Sequence, residues 1–116
     1  MSIERLHKGP RMSQVVIHGD TVYLAGQVAK NAPGAPVAEQ TRDILAAIDA
    51  LLAEAGSDKS RLLSATVWLV DMETFAEMNG VWDNWIDPDN PPARACVESR
   101  LAAPQYAVEI GVIAAR

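Results

Sequence analysis

The hydrophobic period of this chain changes several times, and the changes mark its elements. Residues 14–18 (Gln-Val-Val-Ile-His) and 21–26 (Thr-Val-Tyr-Leu-Ala-Gly) are short β-rich runs separated by Gly19-Asp20, which predicts a hairpin. Residues 27–36 hold two prolines, a glycine and an asparagine and predict a loop. From Val37 the spacing becomes helical: Val37, Thr41, Ile44, Leu45, Ile48, Leu51, Leu52 and Ala55 recur on one stripe. Glu39, Arg42, Asp43 and Glu54 lie off it, and Gly56 ends the helix. After the polar connection 57–60, residues 62–70 read as a long strand rich in β-branched and aromatic side chains. Asp71 is the expected N-cap of a second helix with Phe75, Met78, Val81, Trp82 and Trp85 on its apolar side. Pro88, Pro91 and Pro92 mark a loop, and residues 93–100 and 106–114 are the last two strands, joined through Ala102-Ala103-Pro104.

The predicted order is ββαβαββ, with room for an extra edge strand at Ile3–Leu6. Two helices on one face of a sheet make an α+β layer. In the strand 62–70, alternation puts Ala65, Val67 and Leu69 on one side and Leu62, Ser64, Thr66, Trp68 and Val70 on the other. Both sides are apolar, yet the helices cover only one. Self-association is the economical way to cover the second.

Composition narrows the function classes. With 116 residues, one domain spanning 1–116 is expected. A formal net charge of -5 and the lack of any Lys/Arg run argue against nucleic acid as a partner. No segment approaches the ~18 apolar residues of a membrane span. Residues 1–8 lack the apolar stretch of a signal peptide, and the single cysteine, Cys96, excludes an internal disulfide. A cytoplasmic location is the expectation.

The candidate chemistry lies in the last two strands. Arg94 enters the strand Pro91-Pro92-Ala93-Arg94-Ala95-Cys96-Val97-Glu98, so Arg94, Cys96 and Glu98 share a face. Glu109 interrupts the apolar run Tyr106-Ala107-Val108-Glu109-Ile110. An arginine and a carboxylate projecting from two neighbouring strands would hold a small carboxylated molecule and a water. The guanidinium is a permanently charged planar fork that suits a carboxylate.

Taken together, Val22-Tyr23-Leu24-Ala25-Gly26-Gln27, residues 65–72 (Ala-Thr-Val-Trp-Leu-Val-Asp-Met), Phe75-Ala76-Glu77-Met78-Asn79, Pro92-Ala93-Arg94-Ala95-Cys96-Val97 and Val108-Glu109-Ile110 resemble the reactive intermediate deaminase family, also called the Rid or YjgF family. The resemblance spans almost the whole chain. It implies a chorismate-mutase-like mixed sheet with two helices on one face, assembled as a homotrimer. It implies hydrolysis of 2-imino or 2-enamino acids to 2-keto acids and ammonia in a cleft between subunits, with no metal or organic cofactor. Arg94 matches the arginine that binds the substrate carboxylate. The backbone carbonyl of Cys96 and the side chain of Glu109 match the groups that hold the attacking water, and Gly26 matches the glycine lining the pocket.

Two departures point to a YoaB-like subgroup. The family's G-P-Y tyrosine falls at Met12 in Gly9-Pro10-Arg11-Met12-Ser13, with Arg11 adding a charge beside it, and the loop 27–36 is short. Met12 and Arg11 are therefore candidate substrate contacts. For Cys96, a small half-buried side chain is preferred over a nucleophile, since no histidine lies nearby in sequence to activate it. His7 and His18 are too few and too separated for a metal site. The tryptophans read as core, and Glu73 and Glu77 as a solvated helix face. The alternative to an enzyme is a trimeric binding or chaperone-like protein that captures small carboxylates without turnover. A ribonuclease is disfavoured by charge and by the lack of a histidine pair.

Overall fold

A computed structural model describes residues 2–116. Its strands are β1 (Ile3–Lys8), β2 (Ser13–His18), β3 (Thr21–Leu24), β4 (Gln27–Val28), β5 (Leu62–Leu69), β6 (Ala93–Glu98) and β7 (Val108–Ala115); its helices are α1 (Val37–Glu54) and α2 (Phe75–Trp85). The strands form one mixed sheet in the order β1-β2-β3-β7-β5-β6, with β4 also paired to β7. Only β5 and β6 run parallel, as the crossover through α2 requires. The domain is α+β, with two helices beside a mixed sheet, as the periods predict. The extra edge strand exists, and the predicted loop 27–36 begins with the two-residue strand β4.

Burial follows the alternation. Along β7, Val108, Ile110, Val112 and Ala114 are buried, and along β5 so are Ala65, Val67 and Leu69. Against them α1 buries Val37, Thr41, Ile44, Leu45, Ile48 and Leu52, a stripe recurring every three or four residues. α2 adds Met78 and Trp82. The other face of the sheet carries Thr66, Trp68, Glu109, Gly111 and Ile113, only partly buried, and Tyr23 and Val97, 44% and 43% exposed. Among the described residues no helix lies on that face, as expected from the two-sided apolar pattern.

One sidedness expectation fails. Leu62 is buried with the core rather than lying with Thr66 and Trp68. Leu62 pairs with Ala114 but Ser64 with Ile113, so Leu63 is an extra, exposed residue. This bulge flips the strand's start to the other face. A second irregularity separates β3 from β4. Tyr23 pairs with Ile113 and Gln27 with Ile110, four steps on one strand against three on β7. The extra residue falls at 24–26, where Gly26 sits.

The helix starts also differ in detail. Asp71 caps a short 3-10 turn at Met72–Thr74 by accepting from Glu73 N (2.9 Å), and α2 follows from that turn. α1 begins after Pro36 with no cap of its own, and its Ala38 N–H donates to Glu77 Oε2 of α2 (2.8 Å). Glu77 thus ties two helix starts together rather than only meeting solvent. Gln40, fully buried on α1, donates to Ala35 O and Gln105 O and accepts from Ala107 N (2.9 Å). This amide fastens the helix start to the approach to β7.

Replacing Gln40 with Leu keeps the volume and strands two backbone groups, Ala35 O and Ala107 N, since Gln105 O still accepts from Gly34 N. At about 1–3 kcal/mol for each unsatisfied buried group, partly relieved by water, the loss should be about 3 kcal/mol. Urea unfolding of Gln40→Leu read against wild type checks this, with a midpoint unchanged at equal m-value as the contrary result.

Candidate functional site

Arg94 is the second residue of β6, the last strand of the sheet, and pairs with Ala65 of β5. Ala65 faces the helices, so Arg94 does too. Its half-buried guanidinium lies with Cζ 5.0 Å from the Trp82 ring centroid and 5.9 Å from that of Phe75. Nη1 is 3.9 Å from Met78 Sδ. Phe75, Met78 and Trp82 stand three and four residues apart on α2 and so share one face. The aromatic rings hold the cation by its faces. Among the described residues the guanidinium makes no hydrogen bond to an oxygen, and a thioether is a weak acceptor. Its in-plane donors are left for an anion.

Asn79 belongs to the same face of α2, four residues after Phe75 and three before Trp82. Its Oδ1 is buried with no hydrogen-bond partner among the described residues. A buried amide oxygen without a partner is costly, and it lies on the helix face that cradles Arg94. Sequence reasoning passed over it, because one asparagine in a helix forms no motif. Its spacing from Phe75 and Trp82 was the available signal.

Cys96 follows on the same face as Arg94, opposite Val67, and is a half-buried free thiol. Burial pushes its pKa above the ordinary thiol value, and the positive charge of Arg94 pulls it back less strongly. A raised pKa suits packing rather than nucleophilic attack.

Glu109 lies elsewhere. It pairs with Trp68 of β5 and Val28 of β4, on the face without helices. Its carboxylate folds over Gly26, where a Cβ would overlap it. A Cβ on Gly111 would sit 3.4 Å from the Trp68 ring and 3.8 Å from the Gly26 Cα. Gly26, Trp68, Glu109 and Gly111 therefore form a second cluster, and the two glycines leave the room that the glutamate and the indole occupy. Bulges are common beside sites because they re-aim the chain, and Gly26 sits in one.

The expectation that Arg94 and Glu109 project from neighbouring strands is thus corrected. β5 separates β6 from β7. The parallel register sets Arg94 against Ala65, while the antiparallel one sets Glu109 against Trp68. Residues 65 and 68 point to opposite faces, so within one chain the two groups stand on opposite sides of the sheet. Arg11 and Met12 lie in the β1–β2 turn, where Gly9 N donates to Met12 O (2.8 Å). Met12 is 48% exposed. The Ala25 N–H donates to Gln14 O, so this turn is at the Gly26 end of the sheet and at the opposite edge from β6.

Among the described residues, no three His, Cys, Asp or Glu side chains gather as metal ligands, and no helix is long and apolar enough to cross a membrane. His7 bonds to Glu54 (2.7 Å) at one end of the β1–β2 hairpin, and His18 closes the other.

Comparison with known proteins agrees with this architecture. The protein-family model described as Endoribonuclease L-PSP matches residues 3–116. A RutC family protein of Haemophilus influenzae is 45% identical over 114 residues, 98% of each chain. The RutC family protein YoaB of Escherichia coli K12 is 44% identical over 115 residues, 99% of each. The crystal structure of a YjgF family member from Neisseria meningitidis superposes with a TM-score of 0.96 at 47% identity, covering 100% of this chain and 96% of that one. The motifs around Gly26, Arg94 and Glu109 and these full-length matches place the chain in the Rid/YjgF family, also called RutC, on its YoaB-like side.

Proposed function

We propose that the protein hydrolyses reactive 2-imino or 2-enamino acids to 2-keto acids and ammonia, in a homotrimer whose sites lie between subunits. The observation that carries this reading is Arg94, a half-buried guanidinium held by two aromatic rings with no oxygen acceptor among the described residues. Such a group binds a carboxylate by two parallel hydrogen bonds. Family membership supports the same role.

Turnover also needs a positioned water, and Glu109 is the carboxylate proposed to hold it with the Cys96 carbonyl. One chain keeps Arg94 and Glu109 on opposite faces, so a second copy must bring its Glu109 face to the Arg94 edge. β6 is an edge strand, and the face carrying Tyr23, Trp68 and Val97 has no cover in the monomer. Both are surfaces that association would bury. In the proposed site the Arg94 clamp fixes the substrate. Water attacks the imine carbon as the C=N π pair moves to nitrogen, and Glu109 takes the water's proton and passes it to that nitrogen. The tetrahedral adduct then releases ammonia as its C–N bond breaks and its hydroxyl becomes the keto oxygen. The imine carbon is already electrophilic, so orientation supplies most of what is needed. Met12, at the Gly26 end with Arg11 beside it, would border the substrate side chain and favour apolar ones.

The alternative, carboxylate binding without turnover, is favoured by the same separation: a lone chain has the anion clamp and lacks the water-holding group beside it. Ribonuclease action, which the description of the family model names, is opposed by the net charge of -5 and by histidines at opposite ends of one hairpin.

Coupled assays should be run with imines generated from small, branched and aromatic amino acids, following keto acid release. Arg94→Ala should fold and assemble yet lose about 100-fold or more in kcat/KM, and Arg94→Lys should recover little because a point charge lacks the fork. Cys96→Ser is the control and should stay within a few-fold of wild type. Unchanged turnover in Arg94→Ala removes the assignment, and no acceleration of any imine leaves the binding reading.

Glu109→Gln keeps shape and removes the base. It should lower kcat by about 100-fold while leaving keto acid affinity near wild type, as general-base loss does. Equal losses in both would make Glu109 a structural group.

Light scattering at micromolar concentration should give three times the chain mass. A stable monomer there removes the shared site.

A further inference from the structure

Gln27 is a buried amide, 4% exposed, and none of the chemistry described so far uses it. It opens β4 opposite Ile110, so it lies on the helix side of the sheet. Its Nε2 donates to Gln14 Oε1 (2.8 Å) and to Ala25 O (3.0 Å). A backbone carbonyl can only accept, so the bond to Ala25 O fixes which end of the amide faces it. The Ala25 N–H donates to Gln14 O (2.9 Å). Both backbone polar groups of Ala25 are therefore tied, one by the side chain of Gln27 and the other by β2.

What this clamp holds is the peptide that Ala25 shares with Gly26. In a trans peptide the N–H points opposite to the C=O. Holding Ala25 O against Gln27 therefore turns the Gly26 N–H the other way, away from the buried amide. Gly26 falls in the bulge at 24–26 and outside the paired registers, and among the described residues its N–H donates to no acceptor. A Cβ on Gly26 would overlap the Glu109 carboxylate, so the position needs glycine. Glycine, however, leaves its flanking peptides free to swing. The Gln27 amide removes that freedom at the peptide whose N–H has no partner.

We propose that Gln27, supported by Gln14, is a positioning residue for the imine hydrolysis proposed above: it locks the Ala25–Gly26 peptide so that the Gly26 N–H donates to the substrate carboxylate beside Glu109. The identity of the ligand rests on that reading. A carboxylate has lone pairs to spare after Arg94 has taken two, so a third donor can be met. The donor also answers an electrostatic need, because Glu109 lies over Gly26 and would repel a second carboxylate brought beside it. A backbone N–H already fixed in direction loses no freedom when the ligand arrives.

The test titrates ¹⁵N-labelled full-length protein with 2-oxobutyrate, a 2-keto acid of the product class, beside the coupled imine assay. In the wild type the Gly26 amide should move downfield and saturate as it gains an acceptor. Gln27→Met keeps the length of the side chain and removes its donor. It should abolish the Gly26 shift, weaken keto acid binding and raise KM by about tenfold or more, and leave kcat within a few-fold. Gln14→Met should do the same to a smaller degree, and Gln14→Glu, which still accepts from Gln27, should recover most of that loss. Should Gln27→Met fail to fold, the two Gln14 variants carry the same comparison. A Gly26 amide that stays still in the saturated wild type overturns the proposal. So do unchanged affinity and KM in the methionine variants, and losses that merely follow dissociation of the assembly in light scattering. A wild type that shows the Gly26 shift yet hydrolyses no imine removes the deaminase reading and keeps Gln27 as the group that positions the carboxylate donor.

Discussion

The alternation of side chains along β7 governs this molecule. Val108, Ile110, Val112 and Ala114 go to the helix side and are buried, while Glu109, Gly111 and Ile113 go to the other. β7 is hydrogen-bonded to β3 and β4 on one flank and β5 on the other, so its two faces set the faces of its neighbours. The core depends on the first set. The candidate chemistry depends on the second, because Glu109 can lean over Gly26 only from a face that no helix occupies. A one-residue slip of β7 would exchange the sets, burying a carboxylate and exposing the core.

The arginine end is built by different means. β6 is attached to the sheet only through β5, and α2 returns above it, so Arg94 lies between a strand edge and the ring face of Trp82. Trp82 itself is buried and packs against Trp85 in a tilted pair, 5.5 Å between centroids. Trp85 is in turn held by Asp49 of α1. The position of the guanidinium is thus fixed through α2 and α1 rather than by a carboxylate. That leaves a charged group with few partners of its own, which is costly unless something anionic completes it.

The sheet's edge and its uncovered face are the two unfinished surfaces of the monomer. Tyr23 and Val97 are exposed there, and Trp68 is only partly covered. The bulge at 24–26 re-aims the chain beside Glu109, and the one at Leu63 turns Leu62 inward. Each shows how one inserted residue alters which side chains meet the core.

Much of this was legible in the chain itself. The helical period beginning at Val37, the β-rich run at 62–70 and the apolar stripe Phe75, Met78, Trp82 determine the elements, because burial on one face demands those periods locally. The apolar residues on both sides of 62–70 likewise determine that the sheet has a second face to be covered. Gln40 and Glu77 were not legible: a polar side chain off the apolar stripe gives no local sign that it will clamp Ala107 or cap Ala38, sixty-seven and thirty-nine residues away. Nor was the sidedness of the candidate site. Alternation tells which residues within a strand share a face, but only strand order and register relate one strand's faces to another's. The tertiary structure therefore decided that Arg94 and Glu109, alike in the sequence as charges on late strands, stand on opposite sides of one sheet.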